Sequence, residues 1–70
     1  MNTQEQIKHM NEHITGDKIA RLIEKTNFGM IVTQTALSRI KTGVSPSSHN
    51  TTILVDRAYK AWLKSHKQGN

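Results

Sequence analysis

Apolar residues recur every three or four positions along most of this chain, which is the spacing of amphipathic helices. The clearest case is the last segment, where they share one stripe: Leu54, Val55, Ala58, Tyr59, Trp62 and Leu63. With 70 residues and no cysteine, the chain has room for one small core and no disulfide. The pattern predicts an all-α fold, a small four- to five-helix bundle forming a single domain over residues 1–66, with a frayed tail at 67–70.

Capping residues predict where the helices begin. Thr3 followed by Gln6 is a capping-box pattern and opens a first helix that ends at about His13. The residues expected to cap the later helices are Thr15 or Asp17, Thr33, and Asn50 or Thr51. The second helix is predicted to end near Asn27 and the third at Gly43, because glycine often terminates helices.

The apolar segment at 28–32 is ambiguous. Gly29 indicates a helix stop, and we interpret the apolar residues around it as a buried turn that fills the core. The alternative is a short strand, which is less favoured because an isolated strand leaves its backbone groups unpaired. Residues 44–52, which include Ser45 and Pro46, are predicted to form a polar loop.

The charge distribution points to a polyanionic partner. Ten Lys and Arg residues against five Asp and Glu give a net charge of +5, and Asp56 is the only acidic residue after Glu24. Nucleic acid and an anionic membrane surface both fit this asymmetry, whereas the simpler explanation is that the charge keeps a small protein soluble. No segment is apolar enough for a signal peptide or a membrane span, so a cytoplasmic protein is expected.

The third predicted helix, at about 34–42, carries the functional hypothesis. Val32, Leu37 and Ile40 are expected to face inward. The opposite side consists of hydrogen-bond donors without an acidic residue: Gln34, Thr35, Ser38, Arg39, Lys41 and Thr42. Glutamine can bond adenine, arginine can bond guanine, and hydroxyls can pair with several base edges in the major groove. This face predicts base recognition in double-stranded DNA, although a solvated polar face has the same spacing.

The segment TQTALSRIKTG resembles the recognition helix of the Cro and phage-repressor (Xre-like) helix-turn-helix family. A polar loop with proline and a further amphipathic helix follow it, as in that family. The resemblance implies a dimeric transcriptional repressor of a phage or plasmid promoter that binds a palindromic operator. By match to the family motif, the base-contacting residues would be Gln34, Thr35, Ser38 and Arg39. The residues predicted to contact phosphates are Thr33, Lys41, Thr42, Ser45, Ser47, Arg57 and Lys60.

The chain departs from the family pattern before the recognition helix. Asn27 and Ile31 stand where the family has alanine and glycine, so the turn is expected to be longer or differently shaped. An alternative register makes 33–41 the supporting helix and places recognition at 45–50. His49 and Asn50 would then contact bases.

Other patterns are weaker. His9 and His13 have a metal-ligand spacing but lack a third ligand, so a solvated helix face is favoured and no metal is expected. We find no pattern for catalysis and predict neither an enzyme nor a cofactor. Trp62 is expected in the core or in a homodimer contact, and such a dimer would stabilise so small a domain.

Two alternative functions follow from the same residues. A protein-binding module, such as an antirepressor or inhibitor, would use Met30, Phe28 or Trp62 as apolar anchors. Binding of the basic last helix to a membrane surface is a third possibility, but its apolar face is needed for the core.

Overall fold

The computed structural model describes the backbone of residues 1–68 and the side chains of residues 1–65. Within that part the chain forms four α-helices: α1 (Thr3–Asn11), α2 (Gly16–Thr26), α3 (Gln34–Thr42) and α4 (His49–Gln68). The described residues contain no strand. The prediction of a small all-α bundle is therefore confirmed, with four helices.

The start of α1 differs from the predicted one by one residue. The Asn2 side chain accepts a hydrogen bond from the Glu5 amide at 2.8 Å, and the Glu5 carboxylate accepts one from the Asn2 amide at 3.0 Å. The capping box is thus Asn2–Glu5, and the prediction of Thr3 with Gln6 is wrong, since Thr3 is already helical and the Gln6 side chain donates to Asp56 at 2.9 Å. The helix also ends earlier, at Asn11 rather than near His13.

The predicted caps of α2 and α3 are confirmed. The Thr15 hydroxyl accepts from the Lys18 amide at 3.3 Å, and the Thr33 hydroxyl accepts from the Ala36 amide at 3.1 Å. Each bond satisfies an amide that the first helical turn leaves without a partner. α3 ends at Gly43, which has a left-handed φ of 83° as expected of a terminating glycine.

The start and end of α4 differ from the prediction. The helix begins at His49 rather than at 50 or 51, and the Ser48 hydroxyl accepts from the Thr51 amide at 3.2 Å. It continues to Gln68, so two residues of the predicted tail are helical. Residues 69 and 70 lie outside the described residues. None of the helices in the described part is long and apolar enough to cross a membrane.

One core joins the four helices. Its buried apolar side chains are Ile7, Met10, Ile19, Ile23, Val32, Leu37, Ile40, Leu54, Val55, Ala58, Tyr59 and Trp62. α3 and α4 each pack on both α1 and α2, but the backbones of α3 and α4 do not approach each other closely. α3 is therefore held against one side of the α1–α2 pair, which leaves its other side exposed.

The segment between α2 and α3 is not a buried turn. Phe28 is 96% exposed, Met30 53% and Ile31 70%, and only Val32 enters the core. The backbone of Phe28 is left-handed, with φ of 57°, and reverses the chain with the ring outside. The prediction that these apolar side chains fill the core is therefore wrong.

A polar residue occupies the buried position instead. Asn27 is fully buried, and its side-chain amide donates to the carbonyl oxygens of Ile23 at 2.8 Å and Leu54 at 2.9 Å. The second of these bonds ties the end of α2 to α4. Because buried amides must be hydrogen-bonded, this pairing fixes where the chain leaves α2.

Candidate nucleic-acid interface

The four predicted base-contacting residues lie on one exposed face of α3. Leu37 and Ile40 are buried and anchor the helix by its inner side. The exposed outer residues are Gln34, Thr35, Ser38, Arg39 and Thr42. A helix held in this way presents a row of donors that base edges in the major groove could accept from.

Arg39 lies beside a groove formed by α3 and the loop that follows it. The groove has a volume of about 320 Å³, and Thr35, Arg39 and Ser45 contribute to its lining. Thr33, a predicted phosphate contact, also lines it. Arg39 makes no hydrogen bond or ion pair with any side chain that the structure describes, and its side chain is exposed. Its guanidinium can therefore meet a ligand without breaking an existing contact.

A carboxylate does lie at the beginning of the α3 face. The Gln34 side-chain nitrogen is 3.4 Å from an Asp17 carboxylate oxygen of α2. The expectation of an acid-free face holds for α3 itself, but tertiary packing brings Asp17 to its edge. The other Asp17 oxygen is 3.1 Å from the Arg21 guanidinium, and this ion pair offsets the negative charge locally. Asp17 orients the Gln34 amide as well.

Lys41 does not point away from the protein. Its ammonium donates to the Asn11 side-chain oxygen at 2.8 Å, and its backbone carbonyl accepts from the Gln4 side chain at 3.0 Å. The Asn11 amide in turn donates to the Ile14 carbonyl at 3.0 Å. Lys41 is half-buried against α1, so its inclusion in the outward row was wrong.

The hydroxyls predicted to contact phosphates also have partners within the chain. The Thr42 hydroxyl donates to the Ser38 carbonyl at 3.0 Å. The Ser47 hydroxyl lies 2.8 Å from the Thr52 hydroxyl. A hydroxyl oxygen keeps acceptor capacity while donating, but these two would have to rotate to donate to a phosphate.

Arg57 and Lys60 belong to a different surface. Both line a groove of about 490 Å³ between the beginning of α1 and the outer side of α4. Lys60 pairs with Asp56 at 2.9 Å, as its spacing predicts, and Arg57 is 3.5 Å from the Asn27 side-chain oxygen. The hydrogen bonds from Lys60 and then Gln6 lower the pKa of Asp56 below its ordinary value of 3.8. The structure does not bring these two cations together with Arg39 in one groove.

The alternative register, with recognition at 45–50, offers fewer exposed donor side chains than α3 does. Residues 45–48 are not helical, whereas His49 and Asn50 are exposed in the first turn of α4. The inner side of α4 carries five of the core residues. A recognition surface there would consist of a loop and two helical residues, which is a smaller donor row than the one on α3.

The connection between α2 and α3 departs from the standard helix-turn-helix. It comprises seven residues, 27–33, whereas the usual turn has about three or four. Asn27 and Ile31, which depart from the family pattern, indicate this longer turn in the sequence. What the sequence did not indicate is that Phe28, Met30 and Ile31 would be exposed together.

The two histidines of α1 form part of an aromatic cluster. His9 Nδ1 is 2.6 Å from the Tyr59 hydroxyl, and the His9 ring meets the Trp62 ring edge-on at 5.1 Å between centroids. His9 is half-buried, so the prediction of a solvated face is wrong for it. Trp62 is buried in the core, as expected. In the described part of the chain, no three His, Asp or Glu side chains are placed to share a metal ion.

Comparisons with protein-family models, curated proteins and solved structures find no match for this chain. The features of the chain that bear on its function are the exposed donor face of α3, the net charge of +5 and the short motif in residues 33–43.

Proposed function

We propose that this protein is a sequence-specific transcriptional regulator that binds double-stranded DNA. In this proposal α3 lies in the major groove, and two copies bind a palindromic operator in the manner of Cro-like repressors. Gln34, Thr35, Ser38 and Arg39 contact bases. The exposed donor face of α3, anchored by Leu37 and Ile40, is the observation that carries the proposal.

Electrostatics support the same face. α3 has no acidic residue, and of the two basic residues in its last turn Arg39 lies on the exposed face, whereas Lys41 turns towards α1. Its one nearby carboxylate, Asp17, is already paired with Arg21. With a net charge of +5, the chain is attracted to the phosphate backbone without regard to sequence, while the α3 donors provide discrimination between bases.

The structure suggests a revised set of phosphate contacts. Thr33 and Ser45 border the Arg39 groove and fit a duplex that lies against α3. Arg57 and Lys60 line the separate α1–α4 groove, so in this proposal they add to the long-range attraction and do not contact the same stretch of backbone.

Selection of binding sites from a random duplex pool tests the proposal. We expect a sequence logo with two-fold symmetry that persists when the salt concentration is raised. A featureless signal that disappears in salt would indicate only electrostatic attraction and would contradict base recognition.

Replacing Arg39 tests the orientation of α3. On the selected site, Arg39→Ala should weaken binding by about 1–3 kcal/mol and relax the preference at one base position. The matched control is Lys8→Ala, which removes an exposed cation of α1 outside the face. That change should weaken all duplexes slightly and equally. Equal effects of the two variants would place Arg39 outside the base contacts.

A second candidate function is favoured by the turn between α2 and α3. Phe28, Met30 and Ile31 are exposed together, as the anchors of a protein-binding module would be, whereas Trp62 is buried and cannot serve. Such a module would form a stoichiometric complex with another protein and bind no duplex at physiological salt. The duplex selection described above separates the two functions.

A further inference from the structure

The exposed turn between α2 and α3 forms an apolar surface that the proposed DNA contacts do not use. We call Phe28, Met30 and Ile31 the apolar turn. At 96%, 53% and 70% exposure, these three side chains present about 400 Å² of surface, given roughly 200 Å² for a large apolar side chain. Apolar patches of this size on small soluble proteins commonly mark interaction sites.

The left-handed turn at position 28 does not require a phenylalanine. Phe28 is the only residue other than glycine with a positive φ in the described part of the chain. A left-handed backbone is unfavourable for a bulky residue, and glycine would form the same turn without strain. Since the ring lies outside the core, burial within the chain does not compensate for this strain.

The turn is nevertheless rigidly held. The Gly29 amide donates to the Glu24 carbonyl at 2.9 Å, and the Met30 amide donates to the Asn27 carbonyl at 3.2 Å. Buried Asn27 and Val32 fix its two ends. Because the backbone is already ordered, a partner that covers Phe28 has little conformational entropy to remove. An aromatic side chain that is exposed on an ordered turn is suited to anchor an interface, because aromatic residues are enriched there.

The charges around the apolar turn fit a second copy of the same chain. No ionisable residue occurs from Thr26 to Ser38, and α4 brings one cation, Arg57, to within 3.5 Å of the Asn27 side-chain oxygen, so repulsion between two copies that each carry +5 is reduced at the turn but not absent. Just before the turn, Glu24 and Lys25 are adjacent and exposed. In a two-fold contact each surface meets itself, so Glu24 of one copy can face Lys25 of the other twice over.

We propose that the apolar turn is a homodimer contact, with Phe28 packing against its equivalent in a second copy and Glu24 and Lys25 pairing across the two-fold axis. The inference rests on the proposed function in one respect, since a palindromic operator calls for two copies. The area available is about half of the ~800 Å² that each partner contributes to a standard interface. Association should therefore be weak in the absence of DNA.

Analytical ultracentrifugation of the DNA-free protein from about 10 µM to about 1 mM tests the contact. The average mass of the parent should rise from 7.9 kDa towards twice that value. Phe28→Asn should stay monomeric, and it should fold, because asparagine tolerates a left-handed backbone. The control Val44→Ser removes another exposed apolar side chain and should associate like the parent. A parent that stays at 7.9 kDa, or a Phe28→Asn variant that associates as the parent does, overturns the proposal.

Charge exchange tests the pairing. Glu24→Lys and Lys25→Glu should each weaken the dimer several-fold, and the double exchange should restore it. Weakening that persists in the double variant would contradict a contact between the two side chains.

Duplex binding separates this inference from the proposed function. Phe28→Asn should keep the base preference of the parent on a half-site but lose at least tenfold in affinity for the full palindrome. If the parent dimerises yet selects no sequence, the proposed function fails and the dimer contact stands. If the parent selects a palindrome and Phe28→Asn binds that palindrome equally well, the dimer contact fails and the proposed function stands.

Discussion

The ends of α2 and α3 share a backbone hydrogen bond but differ in the residues that form the turn. In each, an amide just beyond the helix donates to a carbonyl five residues earlier, at 2.9 Å in both cases. After α2 both Phe28 and Gly29 are left-handed, with φ of 57° and 87°, whereas after α3 the left-handed residue is Gly43, with φ of 83°. This bond pattern commonly closes helices, and glycine is the residue that it favours.

The difference shows which of the two ends is optimised for stability. Gly43 meets the backbone requirement without strain, and the sequence pattern located it correctly. Phe28 meets the same requirement at an energetic cost, and 96% of its side chain is exposed. The end of α3 thus serves the fold, whereas the end of α2 leaves a large apolar side chain exposed.

The largest expected effect concerns Asn27, which holds the end of α2 in place. Asn27→Ala would leave the Ile23 and Leu54 carbonyls without their buried donor. The free energy of unfolding should fall by about 2–3 kcal/mol, because buried acceptors lose hydrogen bonds that water cannot replace. Urea denaturation measures this change.

The control for Asn27 is Asn50→Ala, since Asn50 is exposed in the first turn of α4. Its effect should stay within about 0.5 kcal/mol. Equal effects of the two substitutions would mean that Asn27 does not anchor the turn.

The next largest effect on stability is expected from a residue with a Cβ atom at the left-handed position after α3. It would impose there the backbone strain that Phe28 already carries after α2. Gly43→Ala should lower the free energy of unfolding by about 1–2 kcal/mol, the cost of a left-handed backbone for a residue with a Cβ atom. The added Cβ would lie 3.4 Å from the Gln4 side-chain nitrogen, so crowding is modest and strain dominates. Gly29→Ala makes a useful reference, because that residue also has a positive φ but no atom near the added Cβ. If Gly43→Ala is neutral, the left-handed backbone cannot be the distinguishing cost at either end.

The features that the sequence predicted are those set by neighbouring residues. Thr15, Thr33 and Gly43 act within a single helical turn, so their roles could be assigned correctly. At the start of α1 two capping patterns, Asn2–Glu5 and Thr3–Gln6, are offset by one residue. Rules that consider only neighbouring residues do not choose between them. A contact with another helix excludes the predicted pair, since the Gln6 side chain donates to Asp56 of α4 and does not reach back to the start of α1.

The features that the sequence missed depend on residues far apart in the chain. Asn27 is buried because the Leu54 carbonyl, 27 positions later, accepts its hydrogen bond. Lys41 turns inward because Asn11 of α1 is there to receive it. The polar face of α3 was predictable from its period, but which of its members are free to bind a ligand was decided by tertiary contacts.

A smaller effect, of the opposite sign, is expected from relieving the strain in α2. Phe28→Gly should raise the free energy of unfolding by about 0.5–1 kcal/mol, since lost strain exceeds the extra entropy of glycine in the unfolded chain. The measurement is made at low concentration, where the chain is monomeric. Phe28→Ala is the matched control, because it removes the ring and keeps the Cβ, so it should leave stability nearly unchanged. A gain of the same size in both variants would show that the exposed ring, and not the backbone, is the source of the cost.

The smallest expected effect concerns Asp56 of α4, which is bonded to α1. It serves as a reference because it involves neither the end of α2 nor the end of α3. Lys60 and Gln6 lower the pKa of Asp56 by hydrogen bonding to its carboxylate, so folding favours the ionised form. Its contribution is complete above the pH at which the unfolded carboxylate ionises, near 3.8, and is lost as the pH falls through the lower folded value. Asp56→Asn keeps an acceptor for Gln6 but removes the charge and the oxygen that pairs with Lys60. Because this pair is largely exposed, the loss at pH 7 should be under about 0.5 kcal/mol. Urea unfolding of the parent and of Asp56→Asn at several pH values should show this small difference in stability shrinking below pH 4. The effects of Gly43→Ala and Phe28→Gly should not change with pH, because no ionisable group takes part in them.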